Sequence, residues 1–471
     1  MDKNIIPEHV NSVHLIAVCG TAMGALAAAL KQIGLFVTGS DAGVYPPMST
    51  FLKDRGIVVN EGFSGDNLAY GPDLVIVGNA VKKDNPEAVY VFETGLPYCS
   101  MPQAINRFMA RGRRTIVVTG THGKTTTSSI AAWLLYKAGL EPSFLIGGIL
   151  KNFGSSYRVG NGRYMVIEGD EYDTAFFDKQ PKFMHYRADI AIWTGAEFDH
   201  ADIFKDFAHV RSAFDAFFSG IPEQSILIGF GQDPNAGHLL ENRRCWIKTY
   251  GSEMTDDWRL EAEPPVPPWN RFSVFCGSGL FGRFQMKLPG AHNRLNALSA
   301  IAAAASLGIG AEVIAEGLKT FEGIKRRQEI RGVKNGITVI DDFAHHPTAV
   351  RETIAAVRSV YPENRLIAVF EPRTNTSMRS VFQEVYPLSF EKADMVCVRK
   401  PPLLQKVPEG RRFSSQKLAE DLGKRGVNAG YFEDTEEIVG FLKDEAAFGD
   451  VILVMSNGGF DNIHERLLAV L

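Results

Sequence analysis

The feature that most constrains this chain is the stretch from Thr115 to Ala138. Thr115 to Val118 is β-branched and apolar and reads as a buried strand. It runs into Gly120-Thr121-His122-Gly123-Lys124-Thr125-Thr126, after which Ser128 to Ala138 reads as a helix stopped by Gly139. A glycine-rich turn between strand and helix lets backbone N–H groups approach an anion with no Cβ in the way. The helix then presents its positive end to the same anion. In this pattern Lys124 would reach the β- and γ-phosphates of a nucleotide, and the Thr125 hydroxyl would ligate Mg²⁺. The strict phosphate-loop spacing wants glycine at position 118, where this chain has Val118, so the loop is a shortened form. The competing reading is an ordinary glycine turn with a chance Lys-Thr, and the flanking strand and helix weigh against it.

Strand–helix alternation continues on both sides. Val13 to Val18, Leu35 to Thr38 and Leu74 to Val77 read as strands, with Ala22 to Ile33 as a helix closed by Gly34. Tyr164 to Ile167 and Ile190 to Trp193 read as buried strands, and Asn293 to Leu307 as a helix. Between them, Arg271 to Phe275 and Phe284 to Leu288 alternate and suggest a small antiparallel insertion. Ile337 to Ile340, Leu366 to Phe370, Met395 to Val398 and Val451 to Met455 are further strands separated by helical segments. The expected fold class is therefore α/β, built from parallel sheets with helices on both faces. The 471 residues, at roughly 150 per domain, make about three domains. Their expected bounds are 1–108, 109–324 and 325–471.

Composition narrows the function by exclusion. Fifty Lys plus Arg against fifty-four Asp plus Glu gives a net charge of −4, which argues against a nucleic-acid binder or a polybasic membrane patch. Five scattered Cys with no CxxC pair argue against a disulfide framework and a structural zinc site. The amino terminus has no secretory pattern, and no run is long and apolar enough to span a bilayer. The expectation is a cytoplasmic protein, monomeric or weakly dimeric.

Ligands of open parallel sheets bind beyond the carboxyl ends of the strands. Glu168 ends one strand, in Glu168-Gly169-Asp170-Glu171, and His200 lies just past another, in Glu197-Phe198-Asp199-His200. Hard carboxylate oxygens suit Mg²⁺, and an imidazole can hold a second ion. Glu168 is preferred over Glu171 because it sits nearest its strand end. Alone, such acids would read as a solvated turn. In the first unit, Gly20-Thr21-Ala22-Met23-Gly24 follows a strand, and Asp41 comes at the distance of a ribose-binding acid. The missing middle glycine speaks against NAD and leaves a nucleotide diphosphate open, against close strand–helix packing as the alternative. Cys19 has no base beside it and reads as a buried small residue.

Six ordered blocks resemble the Mur ligase family along nearly the whole chain. They are the phosphate loop, the Glu168 block, His200, His292-Asn293-Arg294-Leu295-Asn296-Ala297, Phe321-Glu322-Gly323-Ile324-Lys325-Arg326-Arg327 and Asp341-Asp342-Phe343-Ala344-His345-His346-Pro347. The resemblance implies three domains: a Rossmann-like UDP-sugar domain, a P-loop ATPase-like central domain and a Rossmann-like carboxy-terminal peptide domain. It implies ATP on Gly120 to Thr126, Asn293, Asn296, Arg327 and Asp341, and metal on Thr125, Glu168 and His200. UDP-N-acetylmuramate would sit on Gly20 to Gly24 (Thr21, Ala22 and Met23 included), Ser40, Asp41 and Asn79. Lys124, Glu168 and His200 would serve catalysis, with His345 as base; the alternative for His345 is a loop histidine oriented by Asp341 or Asp342. No lysine occurs between Lys205 and Lys248, so the carbamylated lysine of some relatives has no counterpart there.

The blocks Phe370-Glu371-Pro372-Arg373-Thr374-Asn375-Thr376 and Met455-Ser456-Asn457-Gly458-Gly459-Phe460 are similar to the branch of the family that takes the murein tripeptide L-Ala-γ-D-Glu-meso-diaminopimelate. The resemblance implies Phe343, His345, Arg373, Asn375 and Asn457 as its peptide contacts; Arg373 pairing only with Glu371 is the plainer reading. The sibling activity, adding L-alanine alone, is one alternative. An NAD-dependent oxidoreductase leaves the phosphate loop unexplained. A non-catalytic nucleotide module leaves the acids and the histidine unexplained.

Overall fold

The computed structural model describes residues 4–264 and 266–471. Strands β1 (Ser12–Ile16), β2 (Phe36–Asp41), β3 (Val58–Glu61), β4 (Leu74–Val77) and β5 (Tyr98–Ser100) form a parallel sheet in the order β3-β2-β1-β4-β5. The second group begins with β6 (Arg114–Thr119), β7 (Ser143–Leu150), β8 (Ser155–Arg158), β9 (Tyr164–Glu168) and the hairpin β10 (Asp173–Ala175) and β11 (Asp178–Pro181). It continues with β12 (Ile190–Trp193), β13 (Ile226–Phe230), β14 (Trp246–Gly251), β15 (Trp258–Ala262), β16 (Asn270–Cys276) and β17 (Gly279–Met286). Apart from the hairpin these strands make one sheet, ordered β17-β16-β15-β14-β13-β12-β6-β9-β7-β8. The third group is β18 (Glu329–Lys334), β19 (Ile337–Asp342), β20 (Leu366–Phe370), β21 (Met395–Arg399), β22 (Asn428–Phe432) and β23 (Val451–Met455), ordered β18-β19-β23-β20-β21-β22.

The parallel strands carry unbroken apolar runs because helices cover both faces. Every residue of β4, β12, β20 and β23 is buried. Helix Lys124–Lys137 packs against helix Ala291–Ser306, half of whose buried residues are alanine, which admits close approach. The core beneath helix Thr21–Ile33 is continuous with that of the central sheet. The β10–β11 hairpin adds a second tie, setting Phe176 against Phe92 at 5.8 Å and Phe177 against Tyr98 at 5.1 Å.

Three sequence expectations shift. Helix Lys124–Lys137 begins four residues earlier than expected, because Gly123 turns the chain (φ 79°) and Lys124 with the three threonines after it forms the first turn. β-Branched threonines have modest helix propensity, which hid that turn. The antiparallel strands are not a separate insertion but an extension, since β15 to β17 continue the central sheet from β14. Strand β1 stops at Ile16 as Ala17 takes φ 64°, while β2 continues through Asp41 and carries Ser40 into the sheet.

Candidate active site

The loop after β6 is shaped by two left-handed glycines, Gly120 (φ 127°) and Gly123 (φ 79°). A Cβ on Gly123 would run into the Asn296 amide, so loop and helix Ala291–Ser306 touch directly. Helix Lys124–Lys137 has no capping side chain and no acid in its first turn, which suits an anion at that end. Lys124 Nζ donates to Gly120 O (2.6 Å), Thr121 O (3.2 Å) and Glu171 Oε2 (2.6 Å). Burial lowers the affinity of this amine for its proton, but Glu171, Asp170 and Glu168 outweigh it and raise it overall.

The two acids of the expected pair have separate tasks. Glu168 accepts from Thr125 Oγ1 at 3.0 Å and from Gly147 N at 2.8 Å. Glu171 sits between Lys124 and His200, 3.6 Å from His200 Nε2. Burial alone would raise the Glu171 carboxyl, and Lys124 with His200 brings it below its usual range. For His200, burial lowers the imidazole, but Glu171 and Asp199 hold it above its ordinary value. Tyr172 packs on the ring at 4.3 Å. Asp170 pairs with Lys182 at 2.5 Å; burial opposes its charge, and Lys182 and Lys124 take its pKa to about 2. His200 holds φ 54°, a left-handed conformation costing a non-glycine residue about 1–3 kcal/mol.

Beside the loop lies a cavity of about 230 Å³, lined by His122, Gly123 and Thr126 on one wall and by His292, Asn293, Asn296 and Arg327 on the other. Thr194, Phe230 and Tyr250 also line it. The third group closes it with Asp342, not Asp341 as expected. Successive strand residues face opposite ways. Asp341 therefore points off the cavity into His464 (3.3 Å) and Arg331 (3.2 Å). His292 Nε2 lies 3.4 Å from the Gln328 amide nitrogen, and its Nδ1 is buried without a partner among the described residues. An orphaned ring nitrogen, a left-handed glycine loop and an uncapped helix start fit a nucleotide. The half-buried oxygen pair Thr125–Glu168 fits Mg²⁺, a hard cation that takes oxygen ligands.

His345 Nδ1 donates to Phe343 O at 2.9 Å, so its Nε2 carries the lone pair. That nitrogen is 3.9 Å from Asp199, and neither Asp341 nor Asp342 orients the ring. Burial holds this imidazole below its ordinary value. Phe343 packs under the guanidinium groups of Arg326 (5.1 Å) and Arg327 (5.0 Å). Arg373 lies across Gly458, 3.6 Å from Glu371, beyond hydrogen-bond range. Glu371 is already held by Arg399 and by Ser456 Oγ (2.6 Å). Asn457 Oδ1 is buried without a partner among the described residues. Asn375 is committed elsewhere, donating to Asp202 at 2.7 Å.

His122, Glu197 and His346 bring their donor atoms within 4.8 Å of one another. His346 Nδ1 caps its own helix by accepting from Thr348 N, and Glu197 accepts from Thr348 Oγ1 at 2.7 Å. The trio is a polar seam between phosphate loop and third group, in which Glu197 and His346 each bond to Thr348 while His122 Nε2, 3.5 Å from Glu197, has no hydrogen-bond partner among the described residues.

In the first group a cavity of about 800 Å³ is lined by Gly20, Thr21, Met23, Asp41 and Asn79, among others. Asp41 braces it, accepting from Cys19 N (2.8 Å) and Gly43 N (3.0 Å). Ser40 is displaced from its expected role: it is fully buried under the sheet, bonded to Glu87 and His14. Ala22 and Gly24 do not line the cavity; Gly24 lets Met48 pack against the helix.

Sequence profiles of Mur ligases match in three parts. The Mur ligase family catalytic domain covers residues 12–113, the middle domain 118–304 and the glutamate ligase domain 326–458. The chain belongs to the Mur ligase family. This Mur ligase is an ATP-dependent enzyme that forms carbon–nitrogen bonds. It is 40% identical over 458 residues, 97% of this chain and 98% of the other, to a UDP-N-acetylmuramate–L-alanyl-γ-D-glutamyl-meso-2,6-diaminoheptandioate ligase of Haemophilus influenzae. It superposes on a murein peptide ligase from Psychrobacter arcticus with TM-score 0.73, 34% identity and 98% of both chains covered. The UDP-N-acetylmuramate–alanine ligase of Thermotoga maritima gives TM-score 0.81 at 26% identity, covering 98% and 99%. Among the described residues no helix is long and apolar enough to cross a membrane.

Tyr172, Lys182 and Asp199 join the site without having been singled out in the sequence; Glu171 had been ranked below Glu168, and Asp342 had entered only as a possible partner of His345. The acid block had displayed Glu171, but strand-end proximity favoured Glu168; Lys182 reaches the block only through the β10–β11 hairpin.

Burial, with Arg327 and Arg294 nearby, lowers the His292 pKa to about 4. The folded state therefore binds fewer protons than the unfolded one between about pH 4 and 6.5, so stability rises with pH through that window and is lost as pH drops from 6.5 to 4. His292 alone accounts for roughly 3 kcal/mol across it. His292→Gln should flatten the pH dependence of Tm between 4 and 6.5; an unchanged slope would show that His292 is not held neutral.

Proposed function

We propose that this ligase joins the lactyl carboxylate of UDP-N-acetylmuramate to the amine of L-Ala-γ-D-Glu-meso-diaminopimelate, consuming ATP, in peptidoglycan recycling. The observation that carries the reading is 40% identity along 97% of the chain to the Haemophilus enzyme named for that pair of substrates. Backbone similarity to the alanine ligase reflects the common fold and does not choose the acceptor. ATP and a UDP-sugar as substrates favour the cytoplasm.

A carboxylate is a poor electrophile, so it first attacks the γ-phosphorus and leaves as acyl phosphate while ADP departs. The peptide amine then attacks the acyl carbon, and phosphate leaves from a tetrahedral intermediate. The protein's part is positioning and charge neutralisation. In this reading the UDP-sugar occupies the cavity at Gly20, Thr21, Asp41 and Asn79. The phosphates rest on Gly120 to Thr126, with Lys124 beside them. When bound, Mg²⁺ on Thr125 and Glu168, with a second ion on His200, would neutralise phosphate charge. His345 takes the proton of the incoming ammonium: its Nε2 lone pair is free, and burial keeps the ring neutral.

ADP release tests the assignment. Wild-type protein should turn over with UDP-N-acetylmuramate and the tripeptide, and far more slowly with L-alanine; a preference for L-alanine would overturn it. Lys124→Ala and Glu168→Ala should each lower kcat by about 10²-fold or more, because their contacts serve the transition state. UDP-sugar binding, followed by calorimetry, should change little in either.

The acceptor contact is the second test. The Arg373 guanidinium makes no hydrogen bond among the described residues, and its acidic neighbour is taken by Arg399 and Ser456. In this reading it pairs two-pronged with a carboxylate of the diaminopimelate tail, helped by Asn457, which precedes the Gly458 that Arg373 crosses. Such a contact is worth ~1.5–3 kcal/mol. Arg373→Ala should therefore raise the tripeptide KM roughly tenfold to hundredfold, leaving the KM values of ATP and UDP-N-acetylmuramate near wild type. An unchanged tripeptide KM would remove Arg373 from the peptide site.

A further inference from the structure

Between Glu197 and Asp202 the segment after β12 meets the third group at nearly every residue. Glu197 accepts from Thr348 Oγ1 at 2.7 Å, and Phe198 O accepts from His346 Nε2 at 3.2 Å. Asp199 lies 3.9 Å from His345. The Ala201 N–H donates to Thr376 Oγ1 at 3.0 Å, and Asp202 accepts from Asn375 at 2.7 Å. His200 alone faces the other way, to Glu171 and Tyr172. It does so from a left-handed backbone that residues other than glycine seldom adopt.

Local bonds supply part of the restraint. Asp199 Oδ1 accepts the His200 N–H at 2.7 Å, and His200 O accepts from Ile203 N and Phe204 N at 2.9 Å each. The remaining restraint comes across the seam, on both sides of His200. Thr376 is buried, and its hydroxyl reaches the backbone of the next residue, Ala201.

We infer that Thr376 and Asp202 are positioning residues: the docked carboxy-terminal domain, through them, holds the His200 imidazole where a divalent cation can use it. The inference rests on His200 being a metal-site histidine, as in the reading above. Acceptor-side docking and readiness of the phosphate site would then be one event. Neither residue touches substrate. Each acts through the backbone that carries His200, as outer-shell partners do for metal ligands.

The test uses full-length protein loaded with ADP, with Mn²⁺ as probe and free Mn²⁺ read by electron paramagnetic resonance. Thr376→Val and Asp202→Ala should each weaken Mn²⁺ binding roughly tenfold, in the range found for outer-shell partners. Thr376→Ser and Asp202→Asn, which keep an acceptor, should stay within about twofold of wild type, following the same logic. UDP-N-acetylmuramate KM should hold in all four. Unchanged Mn²⁺ affinity in the first two variants, or equal loss in the conservative pair, overturns the inference. His200→Ala is the control: if it leaves Mn²⁺ affinity unchanged, the metal reading of His200 fails and the inference falls with it. If it weakens Mn²⁺ while Thr376→Val does not, the metal reading stands and only the positioning role is lost.

Discussion

The buried ion pair between Lys124 and Glu171, 2.6 Å long, is the interaction around which the site is assembled. Two charges removed from water are costly, and the attraction between them repays that only with good geometry and further hydrogen bonds. Here Lys124 also has two carbonyls of its own loop, and Glu171 has His200. Removing one partner of such a pair costs about 3–5 kcal/mol, since the other is left charged and buried. The pair locks phosphate loop, acid block and histidine segment into one constellation, though they come from three different strand ends.

Around that pair the charges do not balance. Glu168, Asp170, Glu171 and Asp199 gather about Lys124, Lys182 and His200. Asp170 has Lys182, and Glu171 has Lys124; among the described residues Glu168 has hydrogen bonds from Thr125 and Gly147 and no ion pair. A carboxylate with neutral donors alone, next to a threonine hydroxyl, is the place where an added cation gains most. The same arrangement supports an ATP-dependent ligase, whose phosphates bring more negative charge than Lys124 can offset.

The domains are fastened at particular points. The aromatic hairpin β10–β11 joins the first unit to the acid block. Arg326 and Gln328, both at positive φ, turn the chain into the third unit, and the Asp342 carboxylate accepts the Gln328 N–H at 2.8 Å. Asp342 thus serves the turn between domains and the wall of the nucleotide cavity at once. The seam at residues 197–202 closes the arrangement from the other side.

What the sequence determined by itself was local. A strand, a glycine turn and a helix start are encoded within some twenty residues, so the phosphate loop and the strands β4, β12, β20 and β23 were legible from pattern. Blocks of chemistry at strand ends were legible too, because a parallel sheet brings such ends to one edge. Tertiary structure decided which member of each block points where. Asp341 and Asp342 are adjacent in sequence yet face opposite sides of β19, and Ser40 went into the sheet once β2 ran longer than its apolar stretch. Glu168, at the strand end, meets Thr125, while Glu171, three residues further on, became the partner of Lys124. Asn375 was drawn to Asp202, 173 residues away. Pairings of that range depend on how three sheets pack, and residue pattern within a short window holds no information about them.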